Sequence, residues 1–285
     1  MHKLRLRRLL VAALTVFPFC LAPAIAIGQE LQSSEPSAPA ASARPPLAIR
    51  QRPTTLRILA YNIRHGEGMD HVVDLERVAQ VINELHPDVV ALQEVDSVVE
   101  RTDGVDQTTV LAELTGMHSA FGAFFDYQGG RYGMALLSRY PITSYANHWL
   151  PEGTEPRTGL AARIRLGDSG DEIIVVGIHL YRTAEQRYAQ ASGLVDIYRD
   201  ETTPVILAGD FNSLPDSEVI DLLQRYWTIP DKGADRLTYP SDMPDREIDY
   251  IMYRPADRFE VVEQRVIDEP LVSDHRPVLL ELRLR

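Results

Sequence analysis

The sequence predicts a layered α+β (α/β) domain built on sizeable mixed β-sheets. Short apolar runs of strand type outnumber helical stretches by about two to one, which suits sheets faced by a few helices. Gly, Pro and Asp punctuate the runs. Polar residues follow the C-terminal ends of several apolar runs, and in sheets of this kind such strand ends converge in space.

Leu56 to Tyr61 reads as the first strand. Leu75, Val78, Ile82 and Leu85 recur at helical spacing, and Pro87 stops that helix. Val89 to Leu92 reads as a buried strand, and Thr108 to Thr115 as a helix capped by Gly116. Met134 to Leu137, Ile142 to Trp149, Leu160 to Leu166 and Ile173 to Leu180 read as strands. Ala184 to Tyr198 is a longer helix, Val205 to Ala208 a buried strand, and Ser217 to Tyr226 a helix. Ile248 to Tyr253, Phe259 to Val266 and Pro277 to Leu284 complete the strands. The segments Asp96 to Gln107 and Tyr127 to Tyr132 are expected to shape a substrate pocket, and Trp149 to Gly159 its rim.

The composition, 45% hydrophobic and 25% charged over 285 residues, is that of a globular protein, and 7% aromatics implies an aliphatic core. Lys3, Arg5, Arg7 and Arg8, the apolar run Leu9 to Leu21 and the small-x-small triplet Ala24-Ile25-Ala26 read as a signal peptide over 1–26. An uncleaved membrane anchor is the competing reading; lipidation at Cys20 is disfavoured by Phe17 and Phe19. Residues 27–54, rich in Pro, Ala and Ser, read as a disordered linker, leaving 55–285 as the folded domain. Cleavage after Ala26 removes four basic residues and no acids, taking the net charge from −12 to −16, and removes the only cysteine. The mature chain then has neither a disulfide nor a thiol nucleophile, which fits an exported enzyme, periplasmic or secreted. The acidic balance disfavours nonspecific nucleic-acid binding but leaves room for a nuclease with a local basic groove. No Gly-x-Ser-x-Gly elbow of a serine hydrolase is present.

The chemistry collects after the strands. The first strand runs into Asn62, the second into Gln93-Glu94, the run from Ile173 into His179, and Val205 to Ala208 into Gly209-Asp210-Phe211-Asn212. Asp249-Tyr250 follows Ile248, and Ser273-Asp274-His275 precedes the last strand. Taken singly, an acid here reads as a cap or turn residue and a histidine as structural; six such coincidences point to one site. Alternation in an extended segment would aim Asp210 and Asn212 together and Phe211 into the core, with Gly209 permitting close approach or an unusual dihedral.

Tyr61-Asn62-Ile63-Arg64-His65-Gly66, Gln93-Glu94-Val95-Asp96, Gly209-Asp210-Phe211-Asn212, Ile248-Asp249-Tyr250-Ile251 and Ser273-Asp274-His275-Arg276-Pro277-Val278 resemble, in order, the motifs of the endonuclease/exonuclease/phosphatase superfamily. Tyr132 through Ile142 also looks like that family's central strand and turn, and the resemblance spans Leu56 to Leu284. It implies a deoxyribonuclease I-like, four-layered α/β/β/α sandwich of two mixed sheets, with 55–285 as the catalytic domain. It also implies Glu94 as the main metal ligand, assisted by Asn62, with Asp274 as a further metal or metal-water ligand. Asp210 would orient or deprotonate the attacking water, Asn212 hold that geometry, and His275, oriented by Asp249, donate to a phosphoryl oxygen. His179 matches a second phosphate-contacting histidine. All-oxygen ligands favour Mg2+, or Mn2+, over Zn2+. Arg64, His65, Arg157 and Arg182 are candidate contacts to substrate phosphate, with a surface salt bridge as the plainer reading of Arg157 and Arg182. The expected activity is metal-assisted hydrolysis of a phosphodiester or phosphomonoester, on a small molecule or lipid head group in preference to DNA or RNA. No obligate protein partner is evident, and a monomer is expected.

Overall fold

The computed structural model describes residues 55–151, 153–167 and 170–285. The expected signal peptide and linker lie outside the described residues. Eleven strands and four α-helices follow one another along the described chain. The strands are β1 (Thr55–Asn62), β2 (Val89–Ser97), β3 (His118–Tyr127), β4 (Gly130–Ser138), β5 (Ile142–Trp149), β6 (Thr158–Arg165), β7 (Glu172–His179), β8 (Val205–Asp210), β9 (Asp249–Arg254), β10 (Phe259–Val266) and β11 (Val278–Leu284). The helices are α1 (Leu75–Leu85), α2 (Gln107–Thr115), α3 (Ala184–Tyr198) and α4 (Glu218–Leu223).

Two mixed sheets result. One has six strands in the order β10-β11-β1-β2-β4-β3, the other five in the order β5-β6-β7-β8-β9. Each contains one parallel pair, β1 with β2 and β7 with β8, whose crossovers carry α1 and α3. The sheets pack face to face through Leu56, Ile58, Ala91, Leu136 and Leu280 of the first against Leu160, Ile164, Val175, Ile206 and Ile251 of the second, all fully buried. Val78, Ile82 and Leu111 of α1 and α2 cover the outer face of the first sheet; Leu194, Val195, Val219 and Leu223 of α3 and α4 cover that of the second. The four-layered α/β/β/α sandwich is therefore the fold.

Local chemistry explains the helix limits. Asp74, Asp106 and Ser217 cap α1, α2 and α4 by accepting from the backbone N–H of Arg77, Thr109 and Ile220. His86, left-handed ahead of Pro87, ends α1, and Gly116 at φ 66° ends α2. The fourth helix is shorter than its apolar spacing predicts, closing at Leu223. No strand is expected from the sequence at β3, where Ala120, Gly122 and Ala123 lack the β-branched side chains that mark one. It is an edge strand whose buried residues alternate at Ala120, Gly122 and Phe124.

Register decides where the chemistry falls. In the parallel pairs Asn62 lies opposite Gln93 and His179 opposite Asp210. The antiparallel β8–β9 pair then sets Asp249 opposite Asp210, and the β1–β11 pair aligns Ala60 with Val278, just past His275. One end of the sandwich thus gathers strand ends from both sheets.

Candidate active site

Asn62 stands at the centre of this end. It is fully buried, and its Nδ2 donates to Glu94 Oε1 at 3.1 Å and to Asp210 Oδ2 at 3.3 Å, with His275 Nε2 at 3.5 Å. Arg64 N–H donates to Asn62 Oδ1 at 3.1 Å, which fixes the orientation of the amide. Glu94 arrives through a break in strand register between Gln93 and Val95, where the β2–β4 pairing shifts by one residue. At φ 59° it is the irregular residue of that bulge, and the irregularity turns a side chain that would otherwise alternate with its neighbours into the cleft.

Asp210 closes β8. Alternation does not bring Asn212 beside it, as the sequence suggested: Asn212 is left-handed, at φ 49°. Its N–H donates to Asp210 Oδ1 at 2.7 Å, and its Nδ2 donates to Asp210 Oδ2 at 3.2 Å and to Leu180 O at 3.0 Å. The two face one site through an Asx-type turn. Phe211 is fully buried, as expected. At Gly209, φ 149°, a Cβ would lie 2.0 Å from Ile178 O, a backbone contact that cannot yield. Gly209→Ala should therefore destabilise the domain by about 2–4 kcal/mol, read as a fall in the urea unfolding midpoint; an unchanged midpoint would show that β7 and β8 separate freely.

On the other side His275 Nδ1 sits 3.0 Å from Asp249 Oδ2 and 3.2 Å from Oδ1. His275 Nε2 thereby points towards Asp210 Oδ2, 3.8 Å away. Thr238 Oγ1 accepts from the N–H of Asp249 at 3.3 Å. Ser273 Oγ donates to Asn62 O at 2.7 Å and accepts from His275 N–H at 3.3 Å, joining the end of β1 to the histidine. His179 Nε2 approaches Asp210 Oδ2 at 3.6 Å, while its buried Nδ1 has no partner among the described residues.

The charges are set by burial and by one another. Burial and the Asp249 charge push Asp210 above the usual carboxylate range, to about 7. Burial would lower His275, but the Asp249 carboxylate and its hydrogen bond win and raise it to about 10. Burial, with Arg157 and His275 nearby, holds His179 well below the ordinary histidine value, so it is a neutral imidazole.

These groups open into a cleft of about 550 Å³ lined by Glu94, His179, Asp210, Asn212, Asp274 and His275 among others. Arg157 and Arg182 line it too. Arg157 forms an ion pair with Glu155, yet its guanidinium lies over Phe124 at 4.7 Å and its buried Nε has no partner. Arg182 has no ion pair among the described residues and lies 5.8 Å from the Tyr181 ring centroid, so the salt-bridge reading fails for it. Arg64 and His65 behave otherwise. Both pair with Glu67, at 3.3 Å each, and neither lines the cleft, although Arg64 Nε also lies 3.9 Å from Oδ2 of Asp274, which does; ion pairs occupy the two side chains expected to meet substrate phosphate. The segments Asp96 to Gln107 and Tyr127 to Tyr132 contribute Arg101, Tyr127 and Tyr132 to the cleft, whereas Tyr239, Arg246 and, as supports, Ser273 and Thr238 escaped the sequence reading. Tyr239 packs on His275 with ring centroids 4.8 Å apart. It lies in the irregular stretch before β9, which carries no periodic signal; Ser273 alone had a marker, its place in the Ser-Asp-His run.

Two acidic groupings suit a cation. Asp210, Asp249 and His275 offer ligand atoms within 4.8 Å of one another, but the Asp249 carboxylate is already engaged by His275. Glu94 and Asp210 converge on the Asn62 amide, an N–H donor occupying the place where positive charge is wanted. Hard oxygen donors with no cysteine among the described residues fit a hard divalent ion.

The family model for the Endonuclease/Exonuclease/phosphatase family matches residues 59–275. The protein YbhP of Escherichia coli (strain K12) is 27% identical over 246 residues, 81% of this chain and 97% of its own length. An endonuclease/exonuclease/phosphatase of Beutenbergia cavernae DSM 12333 superposes with a TM-score of 0.64 at 26% identity, over 82% of this chain and 72% of that one. A mannosyl-6-phosphatase of Bacteroides thetaiotaomicron VPI-5482 shares the fold, with a TM-score of 0.63 at 18% identity over 80% of this chain and 99% of that one. The chain belongs to the endonuclease/exonuclease/phosphatase family and is, like its members, a metal-dependent hydrolase of phosphoesters.

Proposed function

We propose that this protein is an exported, Mg2+-dependent phosphoesterase that hydrolyses a small or lipid-borne phosphoester by in-line attack of water. The observation that carries the reading is the convergence of Glu94, Asp210 and His275 on the Asn62 amide within 3.5 Å. Phosphoesters are among the slowest esters to hydrolyse, and a general base alone supplies only about 10² to 10⁴ in rate. Most of the acceleration must come from positioning and from charge placed at the phosphoryl oxygens.

Glu94 would hold the ion, with Asp210 beside it and Asp274 at the rim; Asn62, expected to assist as a ligand, presents Nδ2 rather than Oδ1 and instead fixes the two carboxylates. A divalent cation, when bound, supplies positive charge beside the phosphoryl and leaving-group oxygens. Asp210, steadied by both Asn212 contacts, orients the water and takes its proton. Protonated His275 donates Nε2–H to a phosphoryl oxygen, and Asp249, accepting from Nδ1–H, orients the ring and stabilises the imidazolium. His179, neutral, can donate one hydrogen bond from Nε2 to the same phosphate, and Arg157 adds fixed positive charge behind it. The basic and apolar N-terminal segment supports export, and the chain's net charge of −12 supports a small substrate over nucleic acid.

The test is hydrolysis of a model phosphodiester, a model phosphomonoester and DNA by the mature chain, before and after EDTA. Loss of activity on chelation, with recovery in Mg2+ or Mn2+, is expected; full activity in EDTA refutes the assignment. DNA cleaved in preference to both small esters would turn the reading towards a secreted endonuclease. Stability gives a second expectation. A carboxylate with a raised folded pKa favours the folded state while protonated, so stability falls as pH rises from the unfolded value, 3.8, through about 7. Mg2+ offsets that buried charge, so the rise in Tm on adding Mg2+ should be larger at about pH 8 than at about pH 5. An equal rise at both would place the ion away from Asp210.

A further inference from the structure

The chain is acidic overall, with a net charge of −12, yet four arginines, Arg101, Arg157, Arg182 and Arg246, line the one cleft that holds the reacting groups. Arg101 is the most elaborately held of them. Asp96, fully buried, accepts from Arg101 Nε at 2.7 Å and from Nη2 at 2.8 Å. Thr102 Oγ1 donates to the same carboxylate at 3.3 Å. The guanidinium lies over two rings that bound the same cleft, 4.9 Å from the Tyr127 centroid and 5.4 Å from that of Tyr132. With Nε and Nη2 taken, Nη1 has no hydrogen-bond partner among the described residues.

A guanidinium pinned at one end by a buried carboxylate and stacked on two rings loses little entropy when its free end binds an anion. Tyr132 joins this corner to the reacting groups: it lines the same cleft as Glu94 and Arg157, and its ring lies 5.8 Å from that of Phe124, over which Arg157 sits. A cleft of about 550 Å³ suits a small molecule, whereas a nucleic-acid strand needs an extended basic track.

Resting on the hydrolase reading above, we infer that the cleft contains a second anion position, formed by Arg101 between Tyr127 and Tyr132, and that the substrate is a small phosphoester bearing a further phosphate or carboxylate group. The scissile phosphate sits among Asp210, His275 and His179, and the second acidic group accepts from Arg101 Nη1. Arg101 thereby sets specificity without touching the reacting atoms.

The experiment compares a sugar monophosphate with the corresponding sugar bisphosphate, on wild type, Arg101→Met, Arg101→Lys and, as a control, Arg131→Ala. Arg131 lies on the neighbouring strand, over Phe121 and outside the cleft. Wild type should favour the bisphosphate about tenfold or more in kcat/KM, chiefly through KM, as expected for one charge-assisted contact. Arg101→Met, which keeps the aliphatic stem over the rings, should erase that preference, the loss falling on KM for the bisphosphate. Arg101→Lys should restore part of it, and Arg131→Ala should change nothing. Calorimetric titration of the bisphosphate in EDTA needs no turnover and should show about tenfold weaker binding by Arg101→Met. A third arm presents the same bisphosphate head group on diacylglycerol in phosphatidylcholine vesicles, and preference for the soluble or the vesicle form identifies the source. Equal use of mono- and bisphosphate by wild type, or equal bisphosphate affinity in wild type and Arg101→Met, overturns the inference, even where EDTA-sensitive hydrolysis upholds the hydrolase reading. Tight, Arg101-dependent binding without hydrolysis of any ester upholds the anion position while the hydrolase reading falls. A single-stranded oligonucleotide cleaved in preference to every bisphosphate overturns the small-substrate class.

Discussion

Glu94→Gln should abolish turnover without unfolding the protein. The substitution keeps the shape of the side chain and its hydrogen bond from Asn62 Nδ2, 3.1 Å in the wild type, but removes one of the negative charges that would hold a divalent ion. The loss in kcat/KM should be about 10³-fold or more, several kcal/mol in barrier, as for other electrostatic contributions to a developing charge. Stability should move the other way. Glu94 lies close enough to raise the pKa of Asp210 by like-charge repulsion, so neutralising it relieves a strained acidic cluster. In the absence of Mg2+ the Tm of Glu94→Gln should equal or exceed that of wild type, and the Mg2+-induced rise in Tm should largely vanish. Activity, Tm in EDTA and Tm in Mg2+ together separate this outcome from simple misfolding. Near-wild-type hydrolysis would remove Glu94 from the chemistry.

The second large effect concerns the His275–Asp249 pair. His275→Ala should lower kcat by about 10² to 10⁴, the range for a positioned proton donor. Asp249→Asn should come close to it, and the double variant should be hardly worse than either, because the two act as a unit. The pH profile carries the specific prediction. His275 donates only when protonated, and the Asp249 carboxylate raises it to about 10, so the alkaline limb in wild type should lie far above the ordinary histidine value. In Asp249→Asn, burial remains and the largest attraction is gone, leaving only those of Asp210 and Asp274, so the limb should shift acidward and activity at neutral to alkaline pH should fall with it. The same linkage bears on stability. A histidine raised in the folded state stabilises the fold fully below its unfolded pKa, 6.5, and that contribution disappears as pH rises through about 10. Wild type should therefore lose more stability than Asp249→Asn between about pH 7 and 10. An alkaline limb that does not move in Asp249→Asn would show that His275 is not the titrating donor.

Arg157 and Arg182 show why single residues near strand ends resist assignment from sequence. Both read as surface salt bridges, yet both line the cleft, Arg157 buried and paired at once with Glu155 and the face of Phe124. Arg64 and His65, close behind Asn62, looked better placed; Glu67, three and two residues on, pairs with both, and Arg64 reaches the cleft edge only through Asp274, 3.9 Å away. A difference of one turn in an irregular segment decides such cases.

What the amino-acid order determined by itself was the set of strands and the polar residues that end them. Aliphatic runs such as Val205–Ala208 bury themselves whatever surrounds them, and the helix caps at Asp74 and Gly116 act within one turn, so both can be read locally. Asn62, Glu94, Asp210, Asn212, Asp249 and His275 were named on that ground, and the structure brings all six to one end of the sandwich. Only the tertiary structure decided how. Strand register placed Asp249 opposite Asp210, a bulge turned Glu94 inward, a left-handed Asn212 replaced the expected alternation, and Arg101 reached the cleft by stacking across Tyr127 and Tyr132. Each of these depends on contacts between residues far apart in the chain, or on a backbone dihedral that neighbouring strands impose, and neither leaves a mark in local composition.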